Sequence, residues 1–107
     1  MSEPEEQSRA QQLMGDFAPK LAELTDDVLF GDVWARTELS QRDRSLVTVA
    51  ALIANGNTEQ LPGHLNRARA NGISETELAE VMTHLAFYAG WPRAISAILV
   101  AKEVFKK

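Results

Sequence analysis

One segment of the sequence gathers polar side chains around a single histidine. It reads NGNTEQLPGHLNRARANG from Asn55 to Gly72, and its histidine is His64. An imidazole has an ordinary pKa of about 6.5, so His64 can hold and release a proton near neutral pH. On a regular helix, Gln60 would share a face with His64, and Asn57 offers a second amide donor. The segment therefore predicts proton transfer beside hydrogen bonds to a carbonyl or carboxylate group.

Other side chains could complete a small-molecule site if the fold brings them together. Arginine binds a carboxylate through parallel N–H donors, and aromatic rings form flat apolar pocket walls. The substrate-binding candidates are Gln60, Asn57, Arg44, Arg36, Trp34, Tyr88 and Trp91. Each candidate also has a structural interpretation, because arginines are often solvated and tryptophans often belong to the core or to a subunit contact. The separation of His64 from His84 fits no short metal-binding motif, so no metal site is expected.

Composition limits the class of protein. The 107 residues are enough for one small domain, and 45% hydrophobic with 24% charged residues is ordinary for a globular chain. The formal net charge is −4 with no basic stripe, so no nucleic-acid partner is expected. The absence of cysteine excludes disulfides and thiol chemistry. No apolar run is long enough to cross a membrane, and the polar, acidic start favours a cytoplasmic protein.

The elements that must position these residues are helices. Residues 1–12 are predicted to form a flexible acidic tail and residues 13–107 a single domain. Apolar residues recur at helical spacing from Leu13 to Leu29, interrupted by Pro19. Further helices are predicted over residues 41–54, 58–71, 75–89 and 92–106. Their starts and ends are predicted from terminal glycines, proline at a first helical position, the N-caps Ser40 and Thr58, and the capping box Ser74–Glu77. No alternating pattern indicates strands, so the sequence predicts an all-α fold of about five helices.

The stretch LVTVAALIA, residues 46–54, is apolar on nearly every side of its predicted helix. Such a helix must be covered on several faces, and a small monomer has little else to cover it with. A homo-oligomer is therefore expected.

Three stretches together resemble the carboxymuconolactone decarboxylase family. They are FGDVWARTELSQRDRSLVTVAALIANG, TEQLPGHLNRARANGISETELAEV and THLAFYAGWPRAISAI. The resemblance runs from about Gly31 to Ile98 and implies a helical bundle of the alkylhydroperoxidase D-like type. It also implies a ring-shaped oligomer, a trimer or a hexamer.

The same superfamily contains thiol peroxidases with a C-x-x-C-x-x-x-H motif and a glutamate twelve residues before the first cysteine. In this chain the resemblance places Asn57 and Gln60 at the cysteine positions and Ser45 at the glutamate position. His64 alone keeps the residue of the motif. Because peroxide reduction needs an attacking and a resolving thiol, thiol peroxidase activity is excluded.

The resemblance implies a carboxy-lyase of aromatic-compound catabolism acting on a lactone carboxylate or similar cyclic acid. The lactone accepts the electrons left by carbon dioxide, so neither a metal nor an organic cofactor is needed. His64 would deliver the proton to carbon. Two alternatives stay open: a pocket that binds or transforms a different small acid, and a non-catalytic helical assembly.

Overall fold

The computed structural model describes residues 7–106, and this part of the chain is all-α, as the sequence predicts. Its elements are α1 (Arg9–Met14), α2 (Pro19–Leu24), a π-helix (Thr25–Val33), α3 (Gln41–Asn55), α4 (Leu61–Ala70), α5 (Glu75–Ala89) and α6 (Trp91–Val104). They divide into two compact units, one up to Glu38 and one from Leu39 onward. Within residues 7–106, no helix combines the length and the apolar character needed to span a bilayer.

The N-terminal unit contains α1, α2 and the π-helix. Residues 1–6 of the predicted tail lie outside the described residues, whereas residues 9–12 belong to α1. The Ser8 hydroxyl caps α1, since its Oγ accepts a hydrogen bond from the Gln11 N–H at 3.0 Å. The same hydroxyl donates to Asp26 Oδ2 at 2.6 Å, which joins the start of α1 to the π-helix.

The π-helix is a feature that apolar spacing did not predict. A π turn contains one residue more than an α turn, so a pattern searched at 3.6 residues per turn does not reveal it. Trp34 follows the π-helix and is buried, with its ring centroid 5.9 Å from that of Phe30. Large apolar side chains of this unit nevertheless stay 40–92% exposed, among them Leu13, Phe17, Leu21, Leu24, Val28, Leu29 and Val33.

The C-terminal unit is a bundle of α3, α4, α5 and α6. Helices α3 and α6 pack against each other and against both α4 and α5. The buried core consists of Val49, Ile53, Leu61, Leu65, Ala68, Ile73, Leu78, Met82 and Ala97. Only one face of the apolar α3 segment enters this core, since Val47 is 60% exposed.

Two contacts show how the bundle helices are directed. Arg42 in the first turn of α3 is hydrogen-bonded to Glu77 in the first turn of α5, so these two helices begin at the same end. Asn71, directly after α4, contacts Ser45 at that end. We call this the clamped end (residues 40–45 and 71–77). The opposite end, where α3 and α5 finish and α4 and α6 begin, is called the turn end (residues 55–60 and 89–93).

The predicted helix ends are confirmed in detail for α3 and α5. Ser40 caps α3 through the Asp43 N–H, and Ser74 with Glu77 forms a complete capping box. Gly56 ends α3 in the left-handed conformation at φ 70°. The prediction that Thr58 caps the next helix is wrong, because α4 begins at Leu61 with Gln60 before it and no side-chain cap.

Candidate functional site

His64 lies in the first two turns of α4, next to the buried residue Leu65 and three positions after the buried Leu61. Its side chain is half-buried, and its Nδ1 atom is fully buried. Burial lowers the pKa of His64 because the charged form loses water, and the positive charge of Arg67 lowers that pKa further. His64 is therefore mainly neutral at pH 7, and its protonated form is a stronger acid than an ordinary imidazolium.

The two amides predicted beside His64 occupy the turn that leads into α4. The Asn57 carbonyl accepts hydrogen bonds from the N–H groups of Gln60 at 3.3 Å and Leu61 at 3.2 Å. Gln60 already has helical dihedral angles, φ −90° and ψ −17°, so the turn passes smoothly into the helix. Both amide side chains are exposed. The structure thus places Asn57 and Gln60 in the turn directly before α4 and His64 near the start of that helix.

The aromatic candidates Tyr88 and Trp91 flank Gly90 at the same turn end. Both are exposed, at 78% and 56% respectively. The Tyr88 ring lies 4.9 Å from the ring of His84, and the Trp91 ring meets Phe87 edge-on at 5.0 Å. Each ring therefore has a neighbour from α5.

The remaining candidates lie elsewhere in the chain. Arg44 is half-buried near the start of α3, and its Nε atom is buried. Trp34 and Arg36 belong to the N-terminal unit. Arg36 is exposed and forms an ion pair with Glu38 at 3.6 Å.

Ser45, which stands at the position of the superfamily glutamate, is completely buried. Its Oγ accepts a hydrogen bond from Asn71 Nδ2 at 2.9 Å, and the same amide nitrogen is 3.4 Å from the Gln41 carbonyl. The Ser45 hydroxyl therefore links α3 to the end of α4. A carboxylate at position 45 would need more room than the Ser45 hydroxyl.

Three grooves mark the surface of the bundle. Two of them, about 470 and 170 Å³, run between α5 and α6 and share Met82, Thr83 and Ile98, so they form one continuous apolar groove. The third, about 480 Å³, lies between α3 and α5, with an apolar floor and a rim of Arg42, Glu77, Glu80 and His84. His64 lines none of these three grooves. Among residues 7–106, no group of three His, Asp or Glu side chains is placed to hold a metal ion.

Sequence reasoning missed one cation at the turn end, Arg93 on α6. Its Nη1 atom occupies the volume that a side chain at Gly56 would fill. Arg93 is exposed. No sequence motif marks this contact, since it joins residues of two helices that only the fold brings together.

Comparison with known proteins identifies the group to which this arrangement belongs. The model of the carboxymuconolactone decarboxylase family matches residues 19–103. This chain belongs to that family. It is 36% identical over 99 residues to 4-carboxymuconolactone decarboxylase of Acinetobacter baylyi, which covers 92% of this chain and 74% of the relative. It is also 35% identical over 81 residues to nitrosuccinic acid decarboxylase of Metarhizium robertsii, covering 76% of this chain and 57% of that protein.

Proposed function

We propose that this family member is a cytoplasmic, cofactor-independent decarboxylase of aromatic-compound catabolism. Its substrate is a lactone carboxylate or a similar small cyclic acid, and His64 is the proton donor. The observation that carries the proposal is the half-buried imidazole of His64 with its lowered pKa, in a chain whose two relatives are both decarboxylases. Two relatives with differently named acids point to loss of carbon dioxide as the shared chemistry.

The reaction begins with cleavage of the bond between the carboxylate carbon and the ring. The electron pair of that bond moves into the conjugated lactone, and carbon dioxide leaves. The imidazolium of His64 then transfers its proton to carbon, and solvent restores that proton afterwards. A lowered pKa favours this transfer because it makes the imidazolium a stronger acid. It also confines the active form to the acidic side of neutrality, so kcat/KM is expected to fall as pH rises through the pKa of His64.

The proposed binding residues follow from the sequence candidates. Asn57 and Gln60, in the turn before α4, would donate to the lactone oxygen or to a carboxylate. Arg44 is the proposed carboxylate clamp, and the aromatic walls would come from Tyr88 and Trp91. Arg36 and Trp34, in the N-terminal unit, stay predictions from the sequence alone. Because Ser45 replaces the glutamate, no carboxylate relays protons from that position. His64 must then exchange its proton with solvent or with the substrate directly.

A second candidate is decarboxylation or binding of a different small acid. The 35% identity to a nitrosuccinic acid decarboxylase favours it, because that relative acts on an open-chain acid. A nitro group accepts the electrons of a leaving carboxylate as a lactone does. The same His64 would protonate the resulting carbon.

The function is tested by measuring carbon dioxide release from purified protein with 4-carboxymuconolactone and with nitrosuccinate. His64→Ala is expected to lower kcat/KM by about 10²- to 10⁴-fold, the usual contribution of a general acid. His84→Ala removes the other, exposed imidazole and should lower kcat/KM far less, through its contact with the Tyr88 ring alone. Equal rates in the parent and in His64→Ala would remove His64 from the mechanism. If neither substrate reacts, a thermal-shift panel of lactones and aromatic acids tests the binding alternative, and a flat response leaves the non-catalytic assembly.

The protein is also proposed to form a homo-oligomer, either a trimer or a hexamer. Support comes from the outer face of α6 and the adjoining end of α5, where Phe87, Trp91, Ile95, Ile98 and Leu99 are 38–74% exposed. Burial of this surface against another copy would remove it from water. Light scattering should give three or six times the chain mass, and Leu99→Glu should lower it, whereas Thr76→Glu on an exposed polar position should not. A monomeric parent would contradict the proposal.

A further inference from the structure

Arg93 lies where α6 begins and reaches back to the end of α3. Its Nη1 atom takes the place of a side chain on Gly56, so the guanidinium packs directly against the backbone of that turn. The next residues of the turn, Asn57 to Gln60, lead into the helix that carries His64. The contact thus brings a permanent positive charge to the segment that holds the candidate site.

The surroundings of the Arg93 charge differ from those of two other bundle arginines, Arg42 and Arg69. At the clamped end, Arg42 pairs with Glu77 and with Asp43, and Arg69 pairs with Glu75. Among residues 7–106 no ion pair joins Arg93 to a carboxylate, although Glu59 lies in the neighbouring turn. An exposed guanidinium of this kind can accept a carboxylate through two parallel N–H donors.

The substrates named by the two relatives share a chemical feature that needs such a group. Nitrosuccinic acid carries two carboxyl groups, and 4-carboxymuconolactone carries a ring carboxylate and an acetate arm. Each acid loses one carboxylate as carbon dioxide and keeps the other. An enzyme for this reaction must therefore hold the retained carboxylate away from the proton donor, so that the correct bond is placed for cleavage.

We propose that Arg93 is the positioning residue that binds the retained carboxylate and makes the site selective for small dicarboxylic acids. This inference rests on the proposed function. Arg93 lies in the first turn of α6 and His64 near the start of α4, and these two helices both begin at the turn end and pack against each other. The two side chains can therefore face one small diacid at this end of the bundle. Arg93 then anchors one end of the substrate while His64 protonates the carbon at the other.

Arg93 also has a structural role to be separated from this one. A cation at the C-terminus of α3 interacts favourably with the helix dipole, and Lys would serve there as well as Arg. Only carboxylate binding requires the planar two-donor geometry. Arg93→Gln removes both functions, whereas Arg93→Lys keeps the positive charge and loses the planar pair of N–H donors.

The experiment compares the parent, Arg93→Gln and Arg93→Lys, with Lys102→Gln near the other end of α6 as the matched control. Succinate, an unreactive diacid, is titrated by calorimetry, and carbon dioxide release is measured with nitrosuccinate. Arg93→Gln should weaken succinate binding and raise KM by roughly 10- to 100-fold with a smaller change in kcat, and Arg93→Lys should fall between. Lys102→Gln should match the parent, and circular dichroism should show every variant folded.

The outcomes separate this inference from the proposed function. One outcome is that the parent releases carbon dioxide while Arg93→Gln keeps the same KM and succinate affinity. That result overturns the role of Arg93 in carboxylate binding and leaves the proposed decarboxylase function in place. If the parent binds succinate through Arg93 but releases no carbon dioxide from either diacid, the decarboxylase is overturned and the anion site stands. A parent that neither binds succinate nor reacts overturns both.

Discussion

The two ends of the C-terminal bundle are stabilised in different ways. At the clamped end, side chains join the helices: Ser45 with Asn71, Arg42 with Glu77, and the capping box at the start of α5. At the turn end, the chain reverses at Gly56 and Gly90, both with positive φ, a conformation that Gly72 of the clamped end also adopts. The exposed side chains of Asn57, Gln60 and Arg93 at this end are among those for which we propose contact with substrate.

The two ends of this small bundle therefore contribute differently to stability and to ligand binding. Polar side chains that contact each other contribute to stability, and they are poorly available to a ligand. Polar side chains left exposed beside rigid backbone turns contribute little to stability, but they can bind. The buried core lies between the two ends and includes Leu65, next to His64. Its packing fixes the position of one end relative to the other.

The largest effect on stability is expected at the clamped end, from Asn71→Ala. The buried Ser45 hydroxyl would lose its donor, and leaving it unsatisfied should lower the free energy of unfolding by about 1–3 kcal/mol. Asn66→Ala, an exposed position within α4, should change that free energy by less than about 0.5 kcal/mol. Urea denaturation of both variants makes the comparison. Equal stabilities would mean that the Asn71–Ser45 contact does not clamp this end.

A smaller effect is expected at the turn end, from Gly56→Ala. A left-handed conformation costs a residue with a side chain about 1–2 kcal/mol, and the new methyl group must also displace Arg93. Gly63→Ala is the matched control, because nothing lies within 4 Å of its added Cβ and alanine favours a helix by about 0.5–1 kcal/mol. In thermal denaturation, the Tm should therefore fall for Gly56→Ala and rise for Gly63→Ala. A stabilised Gly56→Ala would contradict the assigned geometry.

The smallest effect concerns the pH dependence of stability. The pKa of His64 is lowered in the folded protein, so as pH falls below about 6.5 the unfolded chain takes up a proton first. Protonation of His64 should therefore lower the free energy of unfolding in that pH range. Above pH 6.5, His64 should not change the free energy of unfolding with pH. His64→Gln should flatten this part of the curve relative to the parent and to a His84→Gln control. An unchanged slope would mean that the imidazole is not desolvated by the fold.

Helix caps could be predicted from the sequence because they depend on neighbouring residues. Ser40 caps α3 through a bond to Asp43, three residues later, and Ser74 and Glu77 satisfy each other over the same spacing. Where the local sequence pattern is weaker, the predicted start of a helix differs from the observed one. The sequence predicts Thr58 as an N-cap, but the chain makes one further turn about the Asn57 carbonyl before α4 begins at Leu61.

The site could be predicted only where it is contiguous. Asn57, Gln60 and His64 lie on one segment, so their spacing already related them. Arg93 was not a candidate, because its meeting with Gly56 depends on how α6 packs on α3. Asn71 was missed for the same reason, since nothing in its surroundings indicates that it would satisfy a serine on another helix.

The contact of the Arg93 guanidinium with Gly56 links two positions that are far apart in the chain. The left-handed dihedral angle favours glycine at position 56, and the missing side chain leaves the space that the Arg93 guanidinium fills. In a relative with a short side chain at position 93, asparagine at 56 would have no guanidinium to displace, and it tolerates the left-handed region. Sequence changes at these two positions should therefore occur together.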